Sequence, residues 1–233
     1  MLLSKNIGIG VIILIKRQMS ESFRIGALLA IIGGFFDAYS YLCRGGVFAN
    51  AQTGNIVLLG VNIANGKMNL VGHYLVPIIA FALGVFIAEV MRRFFGKYQS
   101  KFHWRQAVVL VEIFLVIIVA YLPQKHNMIA NTLISFICAL QVETFRKVHG
   151  SAFATTMCTG NLRSATEQIA KWYIDKDKQA ISKAIKYLMI IFYFIIGAII
   201  GVFGVKYFNE LSVIICSLVL LIVFIMMFWE NEL

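Results

Sequence analysis

The chain has 233 residues, of which 60% are hydrophobic and 14% are charged. A soluble globular domain is closer to half apolar and a quarter charged, so this composition excludes an ordinary soluble domain. The formal net charge of +10 would suit a nucleic-acid-binding protein, but the basic residues cluster at the ends of apolar runs, a pattern that sets membrane topology. We therefore expect the lipid bilayer as the surroundings of the chain, and no nucleic-acid partner.

The first 18 residues differ from the rest of the chain. An apolar run at residues 7–15 lies between Lys5 and the adjacent Lys16 and Arg17. This run is too short to span a bilayer, and it lacks the small-residue cleavage site of a signal peptide. Met19 offers a second start, so we interpret residues 1–18 as an N-terminal extension that need not be native.

Six apolar segments are predicted to cross the membrane. Each has about the length that spans a hydrocarbon core of roughly 30 Å as a helix, and a helix satisfies its own backbone where lipid offers no hydrogen-bond partner. Two further stretches, at about residues 44–69 and 146–186, begin with small residues and end in an amphipathic pattern, which predicts short broken or re-entrant helices. The predicted spans lie at about residues 25–43, 70–91, 106–122, 128–145, 187–206 and 210–229.

Lysine and arginine residues give the orientation. Seventeen of the 21 lie at one set of segment ends, and only Arg44, Lys67, Lys125 and Lys206 lie at the other. Positively charged residues stay preferentially on the cytoplasmic side of a membrane. This asymmetry predicts that both termini are cytoplasmic.

The two halves of the chain repeat a pattern of polar residues. Asp37 and Glu143 are 106 positions apart, and so are the two Thr-Gly-Asn tripeptides that begin at Thr53 and Thr159. One matching tripeptide can arise by chance, but an acid and a tripeptide at the same interval are much less probable. We therefore interpret the chain as an internal repeat.

The next membrane span after each tripeptide repeats as well. Gly84 and Ala88 in the first half correspond to Gly197 and Gly201 in the second, and each pair follows a phenylalanine three positions earlier. Small residues four positions apart let helices approach closely. We expect these faces to bring the two halves together.

Each half contains three predicted spans, and an odd number means that the second half enters the membrane from the opposite side. Many secondary transporters are built from such inverted repeats. We predict an all-α integral membrane protein of six transmembrane helices, with residues 19–125 as the first three-helix repeat and residues 126–233 as the second, inverted one.

Two segments carry a family resemblance. The sequences GGFFDAYSY at residues 33–41 and NAQTGN at residues 50–55 resemble those of the YoaK-type bacterial membrane proteins, a family of unknown function. The resemblance extends from about residue 19 to the C-terminus. It implies a six-helix fold in the bacterial cytoplasmic (inner) membrane, and it brings no substrate.

Asp37 is the main candidate for chemistry. It lies within the first predicted span, where an acid costs about 2.5–3.5 kcal/mol on insertion scales and has to face protein or water. It can serve as a proton or cation site, or as a structural acceptor for the backbone of a broken helix. Its repeat partner Glu143 is either a second proton-coupling acid or the partner of Arg146 in an ion pair within the helix.

The Thr-Gly-Asn tripeptides are predicted to begin helices, because Thr is a good N-cap and Asn offers both a donor and an acceptor. If the two segments enter from opposite faces, two helix N-termini meet inside the membrane and form a site for a polar or anionic solute. Alternatively, both are capping turns of interfacial helices. Arg44 either attracts an anion at the external mouth or snorkels at the membrane edge. The predicted substrate-binding residues are Asn50, Gln52, Thr53, Gly54, Asn55, Thr159, Gly160 and Asn161.

These features favour a small secondary transporter of a polar or anionic small molecule, proton-coupled through Asp37 with Glu143 as its counterpart. The sequence has no Gly-x-Ser-x-Gly, His-Glu-x-x-His or phosphate-binding loop, so we expect no enzyme, no cofactor and no metal site. A passive channel-like pore and a non-transporting membrane scaffold or partner subunit are the alternatives. A homodimer is compatible with the glycine-rich helix faces.

Overall fold

The computed structural model describes residues 22–95, 104–146 and 158–228. Within these ranges the chain forms eight α helices and no strand, and the predicted extension at residues 1–18 lies outside them. Short 3-10 turns at Gln124–His126 and Asn209–Val213 precede α5 and α8. The helices are α1 (Phe23–Cys43), α2 (Gln52–Ala64), α3 (Met68–Phe95), α4 (Trp104–Tyr121), α5 (Asn127–Thr144), α6 (Cys158–Asp175), α7 (Lys178–Phe208) and α8 (Ile214–Phe228).

Four stretches of the described chain are long and apolar enough to cross a membrane. They are Phe23–Cys43, Met68–Phe95, Trp104–Tyr121 and Lys178–Phe228, and the last contains both α7 and α8. Five of the six predicted spans fall within these stretches. The prediction of an all-helical membrane protein is therefore confirmed at this level.

Helix α5 forms where the fourth span was predicted, but it is not among those four stretches. Its polar residues Asn131, Ser135, Gln141 and Glu143 lower its hydropathy, and all four are buried within the protein. A polar helix can lie at membrane depth when its polar side chains face protein rather than lipid. That α5 crosses the membrane stays a prediction.

The apolar helices turn large side chains outward. Phe86 on α3 is 66% exposed, and Phe203 on α7 is 53% exposed. An apolar surface of this kind is unusual for a protein in water and ordinary for one whose solvent is lipid.

Helices from the two halves of the chain pack against each other. The most extensive contacts are those of α1 with α7 and of α3 with α5. A third contact between the halves joins α4 to α8. Within the first half α2 packs on α3, and within the second half α6 packs on α7. The two halves are therefore interleaved rather than side by side.

Glycines make the crossings between the halves close. A Cβ atom at Gly34 would collide with the carbonyl oxygen of Phe194, and one at Gly197 would collide with the carbonyl oxygen of Ile31. A Cβ atom at Gly84 would lie 2.6 Å from a side chain of α5. The predicted role of the small-residue faces in joining the two halves is confirmed.

Gly197→Ala is expected to destabilise the protein by about 1–3 kcal/mol, because the added methyl group forces α1 and α7 apart. Gly72→Ala in α3 is the matched control, since a Cβ atom there meets no described atom of another element within 4 Å. The midpoint of thermal unfolding in detergent measures both variants. An unchanged midpoint for Gly197→Ala would show that the close crossing does not depend on this glycine.

Candidate functional site

Two glycines reverse the chain after α1. Gly45 and Gly46 have φ angles of +89° and +77°, a left-handed conformation that glycine adopts without steric penalty. The backbone N–H groups of residues 49–51 then donate to side chains of α1 that precede the turn. The chain therefore runs back alongside α1, and α2 begins within the fold rather than at its edge.

Side chains satisfy the backbone of this non-helical segment. Asn55 donates from Nδ2 to the carbonyl oxygen of Phe48 at 2.7 Å, and its Oδ1 accepts the Phe48 N–H at 3.1 Å. Ser135 of α5 and Gln52 both donate to the carbonyl oxygen of Ala49 at 2.8 Å. Irregular backbone inside a bilayer is tolerated only where protein supplies its hydrogen bonds. This network is what allows the chain to break its helical structure here.

Asp37 holds the start of α2. Its Oδ1 accepts the N–H groups of Asn50 and Ala51, each at 3.0 Å, and its Oδ2 accepts from Nδ2 of Asn50 at 3.4 Å. The N-cap residue Ala51 makes no side-chain capping bond, so Asp37 supplies from α1 the acceptor that the helix start lacks. Asp37 is therefore a structural acceptor, and the same carboxyl group also lines a cavity.

A cavity of about 850 Å³ is lined by the start of α2 and by residues 158–160 of α6. Helix α2 begins at Gln52, so the first tripeptide lies in its first turn as predicted, but the N-cap is Ala51 and not Thr53. The second tripeptide lies in α6, whose described part begins at Cys158. Residues of α1, α3 and α7, among them Asp37, Phe81 and Phe194, complete the walls. The cavity thus brings together segments that are far apart in the sequence.

The lining of the cavity is mostly apolar. Phe48, Phe81 and Phe194 contribute to its walls, and Tyr41 stacks on Phe48 with ring centroids 4.8 Å apart. Asp37 is the one charged side chain among the described residues that line it. The cavity can therefore hold an apolar body and meet a single charged or polar group.

Cys158 lies at the wall formed by α6. Burial raises the pKa of its thiol to about 11, with a smaller contribution from the negative charge of Asp37. The thiol therefore stays protonated at neutral pH and adds no charge to the cavity. Cys158 and Asp37, one from each half of the chain, both line the cavity.

Six of the predicted site residues meet at the cavity, namely Asp37, Asn50, Gln52, Thr53, Thr159 and Gly160. The other three predicted substrate-binding residues are not among its described lining. Asn55 uses its amide group to hold the backbone of Phe48, and Gly54 packs against the ring of Phe48. Asn161 is buried at 2% exposure within α6.

Glu143 lies in a salt-bridge cluster rather than at the cavity. Its Oε1 is 3.0 Å from Nη1 of Arg146 and 3.8 Å from Nε of Arg92, and Glu89 pairs with Arg93 at 2.7 Å. The ion-pair interpretation of Glu143 is confirmed. The cluster joins the end of α5 to the end of α3, and the structure does not bring Glu143 together with Asp37.

Arg44 is fully buried and does not line the cavity. Its Nη2 donates to the carbonyl oxygen of Val119 at 2.9 Å, and its Nη1 donates to that of Leu122 at 2.8 Å. Its Nε donates to the hydroxyl of Tyr39 at 2.8 Å. Both interpretations of Arg44 from the sequence, a mouth for anions and a snorkelling side chain, are wrong, because the guanidinium group is engaged inside the protein.

One buried acid, Glu112 in α4, was not among the residues predicted from the sequence. It is fully buried, and neither of its carboxyl oxygens has a hydrogen-bond partner in the described part of the chain. A buried polar group without a partner is rare. The available signal was an acid in the middle of an apolar run, the same signal that singled out Asp37. Because Glu112 does not line the cavity, it provides a matched control for substitutions of Asp37.

Comparisons with known proteins identify one family. The model described as "Protein of unknown function (DUF1275)" matches residues 25–226. The UPF0700 transmembrane protein YoaK of Bacillus subtilis (strain 168) is 32% identical over 184 residues, which cover 75% of this chain and 80% of that protein. No solved structure matches. The chain is therefore a multi-pass membrane protein that belongs to the DUF1275 family, and the resemblance to the YoaK-type proteins is confirmed.

Proposed function

We propose that this protein is a small secondary transporter that moves a polar small molecule through the cavity, coupled to a proton carried on Asp37. One observation carries this proposal. The first turn of α2 and residues 158–160 of α6, which carry the two Thr-Gly-Asn tripeptides and belong to different halves of the chain, line the same cavity together with Asp37. In transporters built from repeats, broken helices of this kind form the solute site.

Two inverted repeats, residues 19–125 and 126–233, are the architecture that we propose for this transporter. The helix contacts support it, because exchanging α1–α4 with α5–α8 turns the α1–α7 contact into the α5–α3 contact. The same exchange turns the α6–α7 contact into the α2–α3 contact and maps α4–α8 onto itself. The charge asymmetry supports opposite orientations of the halves, with both termini cytoplasmic and the protein in the bacterial cytoplasmic membrane.

The moving units would be the two close-packed helix pairs. Glycine contacts make α1 and α7 one rigid pair, and α3 and α5 another. The cavity lies between them, with Asp37 and Phe194 on the first pair and Phe81 on the second. Tilting one pair against the other would open the cavity to one side of the membrane at a time.

The proton step is assigned to Asp37 alone. Gain or loss of a proton changes the charge of the one charged side chain in the described lining, so it changes which solutes the cavity favours. Glu143 lies in its salt-bridge cluster and takes no part in this step. No enzymatic step is involved.

An uncoupled carrier or pore is the second candidate. The hydrogen bonds that Asp37 accepts from residues 50 and 51 favour it, because they give the acid a structural purpose without any proton transfer.

Transport by reconstituted protein tests the proposal. Proteoliposomes containing a pH-sensitive dye would be exposed in turn to amino acids, monocarboxylates, polyols and organic amines, under pH gradients of either direction. We expect at least one class to move protons in the presence of protein, and Asp37→Asn to slow this movement by about tenfold or more. Glu112→Gln, the same change at an acid away from the cavity, should leave it intact.

Two results would count against this reading. Solute movement that ignores the pH gradient and is unchanged in Asp37→Asn would favour the uncoupled carrier. If none of the four classes moves under either gradient, the protein is not a transporter of small polar solutes.

A further inference from the structure

We propose that the solute of this cavity is a monovalent organic cation with an apolar or aromatic body, and that it exchanges with the proton on Asp37. This inference rests on the proposed function and names its substrate class. The sequence predicted a polar or anionic solute, whereas the lining of the cavity favours the opposite charge.

The positive charge of the proposed solute follows from the side chains around the cavity. Asp37 is the one charged side chain in the described lining. The arginines nearest the motifs are engaged elsewhere, since Arg44 is buried against α4 and Arg163 pairs with Glu167 at 2.8 Å. A cation would meet an opposite charge in surroundings of low dielectric constant, whereas an anion would face a like charge.

The partial positive charges of helix N-termini do not reverse this preference for a cation. Asp37 already accepts the N–H groups of Asn50 and Ala51 at the start of α2, so the partial positive charge of that end is compensated. Any helix N-terminus carries about half an elementary charge at most. An ionised Asp37 carries a full negative charge and dominates.

The remaining lining favours an apolar body. Phe81, Phe194 and Val202 line the cavity from α3 and α7, and so do the stacked rings of Tyr41 and Phe48. Aromatic faces attract organic cations, and a volume of about 850 Å³ lies in the range of cavities that hold drug-sized ligands. A small hydrophilic ion would leave most of this apolar surface without contacts.

One carboxyl group can hold either the proton or the cation. A protonated Asp37 is neutral and offers the cation no countercharge. When the cation binds, the proton leaves to solvent and the carboxylate balances the charge of the cation. One cation therefore exchanges for one proton, and the exchange moves no net charge.

Within the described part of the chain, the titratable groups that interact with Asp37 do not add a competing charge. They are the thiols of Cys138 on α5 and Cys158 on α6. A thiol is mostly uncharged near neutral pH. The described lining residues of α3 and α7 include no titratable side chain.

Isothermal titration calorimetry on the full chain in nanodiscs of zwitterionic lipid tests this inference. The probes are benzyltrimethylammonium, phenylmethanesulfonate and benzyl alcohol, which share a benzyl group and differ in charge, and empty nanodiscs provide the blank. We expect the cation to bind about tenfold or more tightly than the other two. Titrations in buffers of different ionisation enthalpy should show the release of about one proton per cation. Asp37→Asn should lose the preference and the proton release, and Glu112→Gln should keep both.

Three results would overturn the inference: equal or tighter binding of the sulfonate, no binding of any probe, or binding of the cation without proton release. If Asp37→Asn does not fold, the comparison of probes and the proton count on the unmodified protein still decide. A failure of the transporter proposal alone would give a different experimental result. In that case benzyltrimethylammonium would bind with proton release but would not enter proteoliposomes.

Discussion

Asp37→Ala is expected to lower the free energy of unfolding by about 2–6 kcal/mol, whereas Asp37→Asn should cost less than about 1.5 kcal/mol. The alanine variant leaves the N–H groups of Asn50 and Ala51 without their acceptor, and a buried donor without a partner costs about 1–3 kcal/mol. An asparagine keeps a carbonyl oxygen where Oδ1 lies. The pair of variants therefore separates the structural role of Asp37 from the role of its charge.

Unfolding by heat or by increasing SDS in mixed micelles measures this difference. Glu112→Gln provides the control for an acid-to-amide change at a buried position with no hydrogen bonds to lose. Equal stabilities of the alanine and asparagine variants would refute the structural role. A stable Asp37→Asn variant that has lost transport would instead assign function to the charge itself.

The positions of the helices could be predicted because the physics that sets them is local. An apolar run of about 20 residues has essentially one arrangement in lipid. The first span was predicted at about residues 25–43 and forms Phe23–Cys43. Helix α7 begins at Lys178, well before the predicted start near residue 187, because hydropathy marks the apolar part of a helix and not its charged first turns.

The site could be predicted only in part. Thr53 and Thr159 reach the cavity as expected, since the repeated tripeptide is visible in the sequence. Asn55 was expected to bind solute but holds the backbone of Phe48 instead. Whether a polar side chain beside a helix start faces a ligand or its own loop depends on where that loop packs. For the same reason, nothing in the sequence marked Ser135 as a partner of the loop.

Arg44 is a second residue whose contacts could not be predicted from the sequence. A single basic residue after an apolar run favoured a snorkelling side chain, and the decisive information lay about 80 positions further along the chain. Pro123 has no N–H group to donate to the carbonyl oxygen of Val119, its partner four residues earlier in α4. Arg44 donates there at 2.9 Å, in addition to the Leu122 N–H at 3.2 Å. The proline therefore marked a helix end whose second donor comes from a distant part of the chain.

Arg44→Ala is therefore expected to destabilise the protein by about 3–5 kcal/mol. The substitution leaves the carbonyl group of Val119 in α4, and that of Leu122 just after the helix, without their charged donor. It also removes a cation from the C-terminal end of a helix, where positive charge is favourable. Unfolding in detergent measures the loss, and Lys125→Ala, at an exposed position of the neighbouring turn, should have no effect.

Two further substitutions identify what Arg44 contributes. Arg44→Lys keeps the charge but has one nitrogen in place of a planar fork, so it cannot reach Val119, Leu122 and Tyr39 together, and we expect it to recover less than half of the loss. Arg44→Met keeps most of the volume and removes every donor, so it should be nearly as unstable as the alanine variant. A methionine variant as stable as the unmodified protein would show that packing alone holds α1 against α4, and that the hydrogen bonds of Arg44 only offset its own desolvation.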